Sequence, residues 1–356
     1  MKKIIAMVTA MMLTASMAAC GSGKADSSAD AASTEDTAKE APAESGAAEE
    51  ENEAETSEEE ASGEVYQIGI CQLVQHEALD AATQGFKDAL VEKLGEGNVE
   101  FDEQNASGDS ATCATIINQF VSSDVDLILA NATPALQAAH AGTADIPILG
   151  TSVTDYATAL EIDNWEGTTG MNISGTCDLA PLAEQAAMLN ELFPDAKNVG
   201  LLYCSAEANS AYQANTIRTS LEEMGYTCTD YTFADSNDIA SVTTNAAAEC
   251  DVIYVPTDNA AASNTEVINN VCLPAGVPII AGEEGICAGC GVATLSISYY
   301  DIGYKAGEMA YEILANGADV STMAVETAEN VTKKYDADRC KELNIEIPEG
   351  YEAIAK

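Results

Sequence analysis

Arginine is nearly missing from this chain: Arg218 and Arg339 are the only two in 356 residues. Lys and Arg together number 14 against 59 Asp and Glu, for a formal charge of −45. That balance excludes nucleic acid and anionic lipid headgroups as partners, because both are gripped by clustered basic side chains. Histidine is scarce as well. His76 and His140 both fall in the first half, which leaves little for histidine-based metal or nucleophile chemistry. No GxSxG elbow, P-loop or HExxH occurs, and no GxGxxG follows the first strand-like run. Asp155 and Glu284 could in principle form an acid/base pair, but they have no nucleophile or metal site to serve. The chain is therefore expected not to be an enzyme, with no cofactor and no metal. Nor is there a long apolar run: the one at Ile4 to Ala15 is too short to span a bilayer, which takes about 20 residues.

That short run is informative in its setting. Met1-Lys2-Lys3 gives a basic start, the apolar stretch follows, and Ser16-Met17-Ala18-Ala19-Cys20 places small residues before a cysteine. The order is that of a secretory signal over residues 1–19, and the cysteine at the cut point resembles the lipobox of bacterial lipoproteins, with Met17 where Leu is usual. The resemblance implies lipidation of Cys20, an anchor in the cell membrane and an extracytoplasmic location. Residues 20–63 are then Ala, Ser, Gly, Thr and acid, with runs such as Glu49-Glu50-Glu51 and Glu58-Glu59-Glu60. With no apolar periodicity this segment is expected to be a disordered tether, reaching about 35 Å as a flexible coil.

Ten cysteines follow the lipid site. An even count in an exported protein can mean disulfides, yet Cys71, Cys204, Cys250 and Cys272 sit in apolar patterns, where a free thiol packs as a small hydrophobe. Mostly unpaired cysteines are expected. Cys287-Ala288-Gly289-Cys290 is a lone CxxC, with no second CxxC and no His nearby to complete a zinc site.

From about Glu64 onward, apolar strand-like runs alternate with helical patterns. Tyr66–Cys71, Leu127–Ala130 and Pro147–Gly150 read as strands, with helices over Leu79–Lys93, Asp109–Val121 and Pro134–His140. The alternation restarts near Glu161 to Gly170. Strands at Val199–Tyr203, Thr227–Phe233, Val252–Val255, Val277–Ala281 and Val292–Ile297 then alternate with helices that include Ala208–Met224 and Asp301–Asn316. Short apolar strands joined by helices predict an α/β fold of two doubly wound parallel-sheet lobes. Ligands in such sheets lie outside the carboxyl ends of the strands. The loops there carry hydroxyls, amides and carboxylates but no Lys or Arg, which favours a neutral or zwitterionic small ligand. Its carboxylate could dock on helix N-terminal amides, and its ammonium on Asp258, Glu283 or Glu284. Helix capping is the competing role for Ser205, Asn209 and Asp258.

At these loops the chain resembles the substrate-binding lipoproteins of ABC importers, in the group that includes tryptophan- and tyrosine-binding proteins. The stretches that carry the resemblance are Ile68–Asp80, Ala132–Ala135, Val153–Asp155, Ser205–Ser210, Val255–Ala260 and Ser298–Gly303. Cys71 stands where Ser is common and Glu77 where Pro is common. The resemblance implies a periplasmic-binding-protein fold of the first type with three hinge crossings. One lobe would be 65–160 plus 291–318, and the other 163–284 plus 320–356. It also implies an amino-acid ligand, often aromatic, held between the lobes, and an ABC permease as partner. Gln72, Val74, Thr133, Thr154, Asp155, Ser205, Asn209, Asp258, Asn259, Glu283 and Glu284 are the candidate ligand contacts, with Leu73, Val74 and Ala132 as apolar walls. The alternative function is a sensory module that presents a bound amino acid, nucleoside or sugar to a membrane receptor.

Overall fold

The first strand, β1 (Tyr66–Gln72), is buried from Ile68 onward because it runs between two neighbours and is covered on both faces. α1 (Glu77–Leu94) turns Ala82, Phe86, Ala89 and Leu90 inward. β2 (Val99–Asn105) forms the sheet edge. α2 (Ser110–Ser122) starts where the Asp109 carboxylate accepts the Thr112 N–H at 2.8 Å, a side-chain N-cap. β3 (Leu127–Asn131), α3 (Thr133–Gly142), β4 (Ile148–Val153), α4 (Tyr156–Ala159) and β5 (Ile173–Cys177) complete the first passage. The second contains α5 (Leu182–Leu192), β6 (Asn198–Cys204), α6 (Ala208–Glu223), β7 (Thr227–Phe233), α7 (Ile239–Glu249) and β8 (Val252–Val255). It continues through α8 (Asn259–Ala262), α9 (Thr265–Ala275), β9 (Ile279–Ala281), α10 (Glu284–Gly289) and β10 (Ala293–Ser296). The chain returns for α11 (Tyr299–Asn316) and β11 (Glu326–Thr327), then ends in β12 (Thr332–Tyr335), α12 (Ala337–Glu342) and β13 (Glu352–Ala353).

These elements belong to a computed structural model that describes residues 65–355 with Glu329 excepted, all within the compact unit Ala61–Lys356. The signal segment, Cys20 and the acidic tether lie outside the described residues. Two sheets result, in strand order β11-β5-β4-β3-β1-β2 and β13-β12-β10-β9-β8-β6-β7. All pairings are parallel except β10 with β12. The α/β architecture of two doubly wound lobes is therefore present.

The crossings fall later than the sequence suggested. β5 lies in the first sheet and β10 in the second, so the chain changes lobe at 178–181, 297–298 and 328–331. Gly175 lets β5 join its neighbour: its φ is +142°, and a Cβ there would sit 2.0 Å from the Gly150 carbonyl oxygen. No other residue fits that approach, so the strand carries little side-chain pattern to reveal it.

Each sheet is sandwiched between two apolar layers, and a fifth, small cluster of Ala78, Ala82, Ala180, Ile297, Tyr299 and Ile302 lies at the crossings. α1 and α11 meet there almost backbone to backbone, through Gly85, Gly303 and Gly307. The ten described cysteines are all free thiols, eight of them buried. Cys287 lies in α10 and Cys290 caps it, and Arg339 collects the carbonyls around that helix end: Cys287 O at 2.8 Å, Ala288 O at 2.6 Å and, just beyond it, Gly291 O at 2.9 Å. Among the described residues, no helix is long and apolar enough to cross a membrane, and no group of His, Cys, Asp and Glu could hold a metal ion.

Candidate functional site

Parallel strands deliver their carboxyl ends to one edge of each sheet, and the two edges face each other. The lobes touch there through two side-chain hydrogen bonds. His76, just before α1, has Nε2 3.2 Å from Asn259 Oδ1 at the start of α8. Gln213 Nε2 on α6 donates to Thr154 Oγ1 after β4 at 3.3 Å. The lobes are therefore closed on one another.

Between these contacts lies a chamber of about 10 Å³, lined by His76, Leu79, Asp178, Asp258, Glu283 and Tyr299 among others, with room for about one water. Three of its lining groups are buried carboxylates, and no Lys or Arg lines it. Asp178, at the first crossing, accepts the Tyr299 hydroxyl at 2.9 Å and the Thr154 hydroxyl at 3.0 Å. Burial nonetheless pushes its carboxyl up from the usual range. Asp258 caps α8 and also accepts the Cys204 N–H at 2.6 Å, and burial raises it as well. Glu283 caps α10 through the Gly285 and Ile286 N–H groups, yet desolvation, with Glu77 and Glu284 nearby, holds it at about 7. Behind Asn259, Glu207 accepts the Asn259 and Ala260 N–H groups at 3.1 and 2.9 Å, and burial beside Asp258 pushes it to about 7. Burial lowers His76 in turn, so its imidazole is held toward the neutral form. The site is thus short of positive charge, and its carboxylates lack the partner that would make burial favourable.

Of the eleven candidate contacts, Asp258, Asn259 and Glu283 line the chamber. Thr154 lies one bond away, on Asp178. Asn209 is buried beside Thr257, its Nδ2 on the Thr257 carbonyl and its Oδ1 without a partner. Thr133 is buried at the start of α3 with its hydroxyl unpartnered, as is Ser152 near the end of β4. α3 begins without a side-chain cap, and the residues holding these two loops, Ala132 and Ser152, have φ of +90° and +54°. Left-handed backbone at non-glycine residues is strain of the kind that collects at binding loops.

The other candidates are placed differently. Gln72 spends its amide inside its own lobe, donating to Val74 O and Asp80 Oδ1 and accepting from Thr83; this fixes the β1–α1 loop. Asp155 caps α4 through the Thr158 N–H at 2.7 Å. Ser205 is exposed and turns its hydroxyl to the Phe233 carbonyl. Glu284 pairs with Lys334 in a groove beside the hinge. Val74, Leu73 and Ala132 pack with the first lobe's core and do not line the chamber; its apolar walls are Leu79, Ala262 and Ile286.

His76, Glu207, Gln213, Asp178 and Tyr299 were not among the candidates. His76, Glu207 and Tyr299 do fall inside the stretches that carry the resemblance, and Asp178 could have been found only by placing the first crossing at 178–181.

Comparison with known proteins supports this frame. The family model for ABC transporter substrate binding proteins matches residues 67–356. A tyrosine-binding protein of Clostridioides difficile (strain R20291) is 36% identical over 281 residues, covering 78% of this chain and 81% of that protein. Among solved structures, a Streptococcus pneumonia protein in complex with L-Trp has a TM-score of 0.78 at 29% identity, covering 82% of this chain and 100% of that one. A ligand-free, open substrate-binding protein with adhesive properties from Clostridium difficile has a TM-score of 0.62 at 36% identity, covering 82% and 99%. The more similar sequence superposes less well, as a difference in lobe angle would give.

Proposed function

The chain belongs to the ABC transporter substrate-binding protein family, with the type I periplasmic-binding-protein fold, and from that premise we propose that it captures an aromatic L-amino acid between its lobes for import. The observation that carries the reading is the set of desolvated carboxylates on the chamber with no basic side chain among them. An ammonium group supplies the missing charge and turns a costly burial into a charge-assisted contact. The ligand carboxylate is assigned to the first-lobe loops, where the Thr133 and Ser152 hydroxyls are buried without partners and α3 starts uncapped. Leu79, Ala262 and Ile286 flank the ring. The tyrosine ligand of the C. difficile relative and the L-Trp of the S. pneumonia structure support the class.

As described, the chamber is too small for such a ligand, so capture requires the lobes to part and then close with the guest inside, wider than they stand here. Lipidation at Cys20 and the acidic segment behind it would tether the protein outside the cytoplasmic membrane within reach of a permease.

A thermal-shift series over the twenty amino acids tests the proposal. At 100 times Kd the ligand adds about 2.7 kcal/mol, which for a chain of this size is a rise of about 4–5 °C. Tyrosine or tryptophan is expected to give it, and decarboxylated analogues less. A flat response to every amino acid would overturn the proposal.

A further inference from the structure

Of the two interlobe hydrogen bonds described above, one spans the chamber itself. His76 of the first lobe and Asn259 of the second both line it, and their side chains meet at 3.2 Å. The other bond, Gln213 to Thr154, joins two residues that do not line it. Thr154 is tied to Asp178 at the first crossing, so that bond stands beside the hinge, where a rotation of the lobes displaces atoms little.

Each partner of the spanning bond is fixed within its own lobe. Asn259 Nδ2 donates to the buried Glu207 Oε2 at 2.6 Å, and the Asn259 N–H donates to the same oxygen at 3.1 Å. That orients the amide and leaves Oδ1 facing the first lobe. An amide oxygen only accepts, so His76 Nε2 carries the hydrogen. The His76 carbonyl accepts the Asp80 N–H at 3.0 Å, which sets the ring at the start of α1. With the bond made, the chamber holds about 10 Å³, room for about one water. One layer of guest atoms between His76 and Asn259 would part their loops by about 3.5 Å more, beyond hydrogen-bond reach. The bond and an amino-acid guest therefore exclude each other.

We propose that the His76–Asn259 hydrogen bond is an autoinhibitory gate: it holds the lobes in a closed form that shuts the guest out, and it must break before capture. The two residues then lower the affinity of the site whose wall they form. The apparent affinity is the intrinsic one reduced by the fraction of molecules in which the gate is open, so breaking the gate tightens binding. The effect on affinity rests on the capture reading above; the effect on lobe separation does not.

Binding kinetics of the full chain with L-tyrosine, and small-angle X-ray scattering without it, test the gate. His76→Leu removes the donor, and Kd is expected to fall about 2- to 10-fold, the worth of one hydrogen bond between neutral groups. The gain lies in the association rate, with dissociation unchanged, because the bond is already broken in the bound form. Asn259→Ala should give the same gain, and the double variant no more than either single one, since all three lose one and the same bond. His76→Gln, whose amide can donate in place of the imidazole, should return toward the parent. Without L-tyrosine, both single variants that lose the bond should scatter with a larger radius of gyration than the parent. His76→Leu leaves the contacts of Glu207 intact and decides alone if Asn259→Ala fails to fold. A weaker complex that dissociates faster would show that these side chains grip the guest, and would overturn the gate. An unchanged radius would overturn it as well. If L-tyrosine binds neither parent nor variants while the radius grows, the capture reading falls and the gate stands.

Discussion

Replacing Gly303 with alanine lowers the unfolding temperature by about 3–4 °C, a loss of about 2 kcal/mol. Helix propensity alone predicts the opposite sign, since alanine is favoured over glycine by about 1 kcal/mol in a helix interior. Packing overrides it because the new Cβ would lie 2.0 Å from the Ala82 carbonyl oxygen, with Ala82 C and Cα at 2.6 and 2.7 Å. All three are backbone atoms, so no rotamer can yield and α1 and α11 must move apart. Gly97→Ala is the matched control: a Cβ there meets nothing within 4 Å, and its melting temperature should stay within about a degree of the parent. The displacement also reaches the site. α11 starts with Tyr299, whose hydroxyl binds Asp178, so Gly303→Ala should weaken ligand capture as well as folding. A variant that melts at or above the parent temperature would show that the two helices are not held this closely.

The alternation of runs made the fold legible, because β1, β3, β4, β6, β8 and β9 are buried and apolar and the helices between them carry a one-sided apolar stripe. β2 was hidden for a physical reason. It is an edge strand whose exposed positions are Glu100, Asp102, Glu103 and Asn105, so it reads as polar surface. β5 was hidden because Gly175 has no side chain to pattern, and that omission shifted the first lobe boundary; the other two moved because β10 belongs to the second sheet and the two-residue β11 to the first. The site was legible by loop, and less so by residue. Thr257, Asp258 and Asn259 arrive where a parallel sheet must put them, yet whether a polar side chain faces a ligand or its own helix depends on local geometry that spacing does not encode. Gln72 and Asp155 have the right chemistry and spend it on their own loops. Asp178 is visible only once the chain is known to cross there.

Asp178→Asn is expected to cut amino-acid affinity about 10- to 100-fold, the worth of one hydrogen bond to a charged group, while leaving the fold at least as stable. The amide is nearly isosteric. Its Oδ1 can accept from Tyr299 or Thr154, and the other hydroxyl can turn to accept from Nδ2. What disappears is a desolvated negative charge, which costs the ligand-free protein and serves only a bound cation.

The same reasoning fixes two pH slopes of opposite sign. Glu283 and Glu207 are held at about 7 in the folded protein, above their unfolded value. The native state therefore binds more protons between about pH 4.5 and 7, and ligand-free stability falls as pH rises through that window. An ammonium ligand favours the ionised carboxylates, so capture releases protons and Kd tightens with rising pH, by up to about tenfold per unit for each proton released. Melting curves without ligand and calorimetric titrations at pH 5.5, 6.5 and 7.5 separate the two slopes. If affinity were flat across that range, or stronger at the acid end, the chamber carboxylates could not be the groups that receive the ammonium.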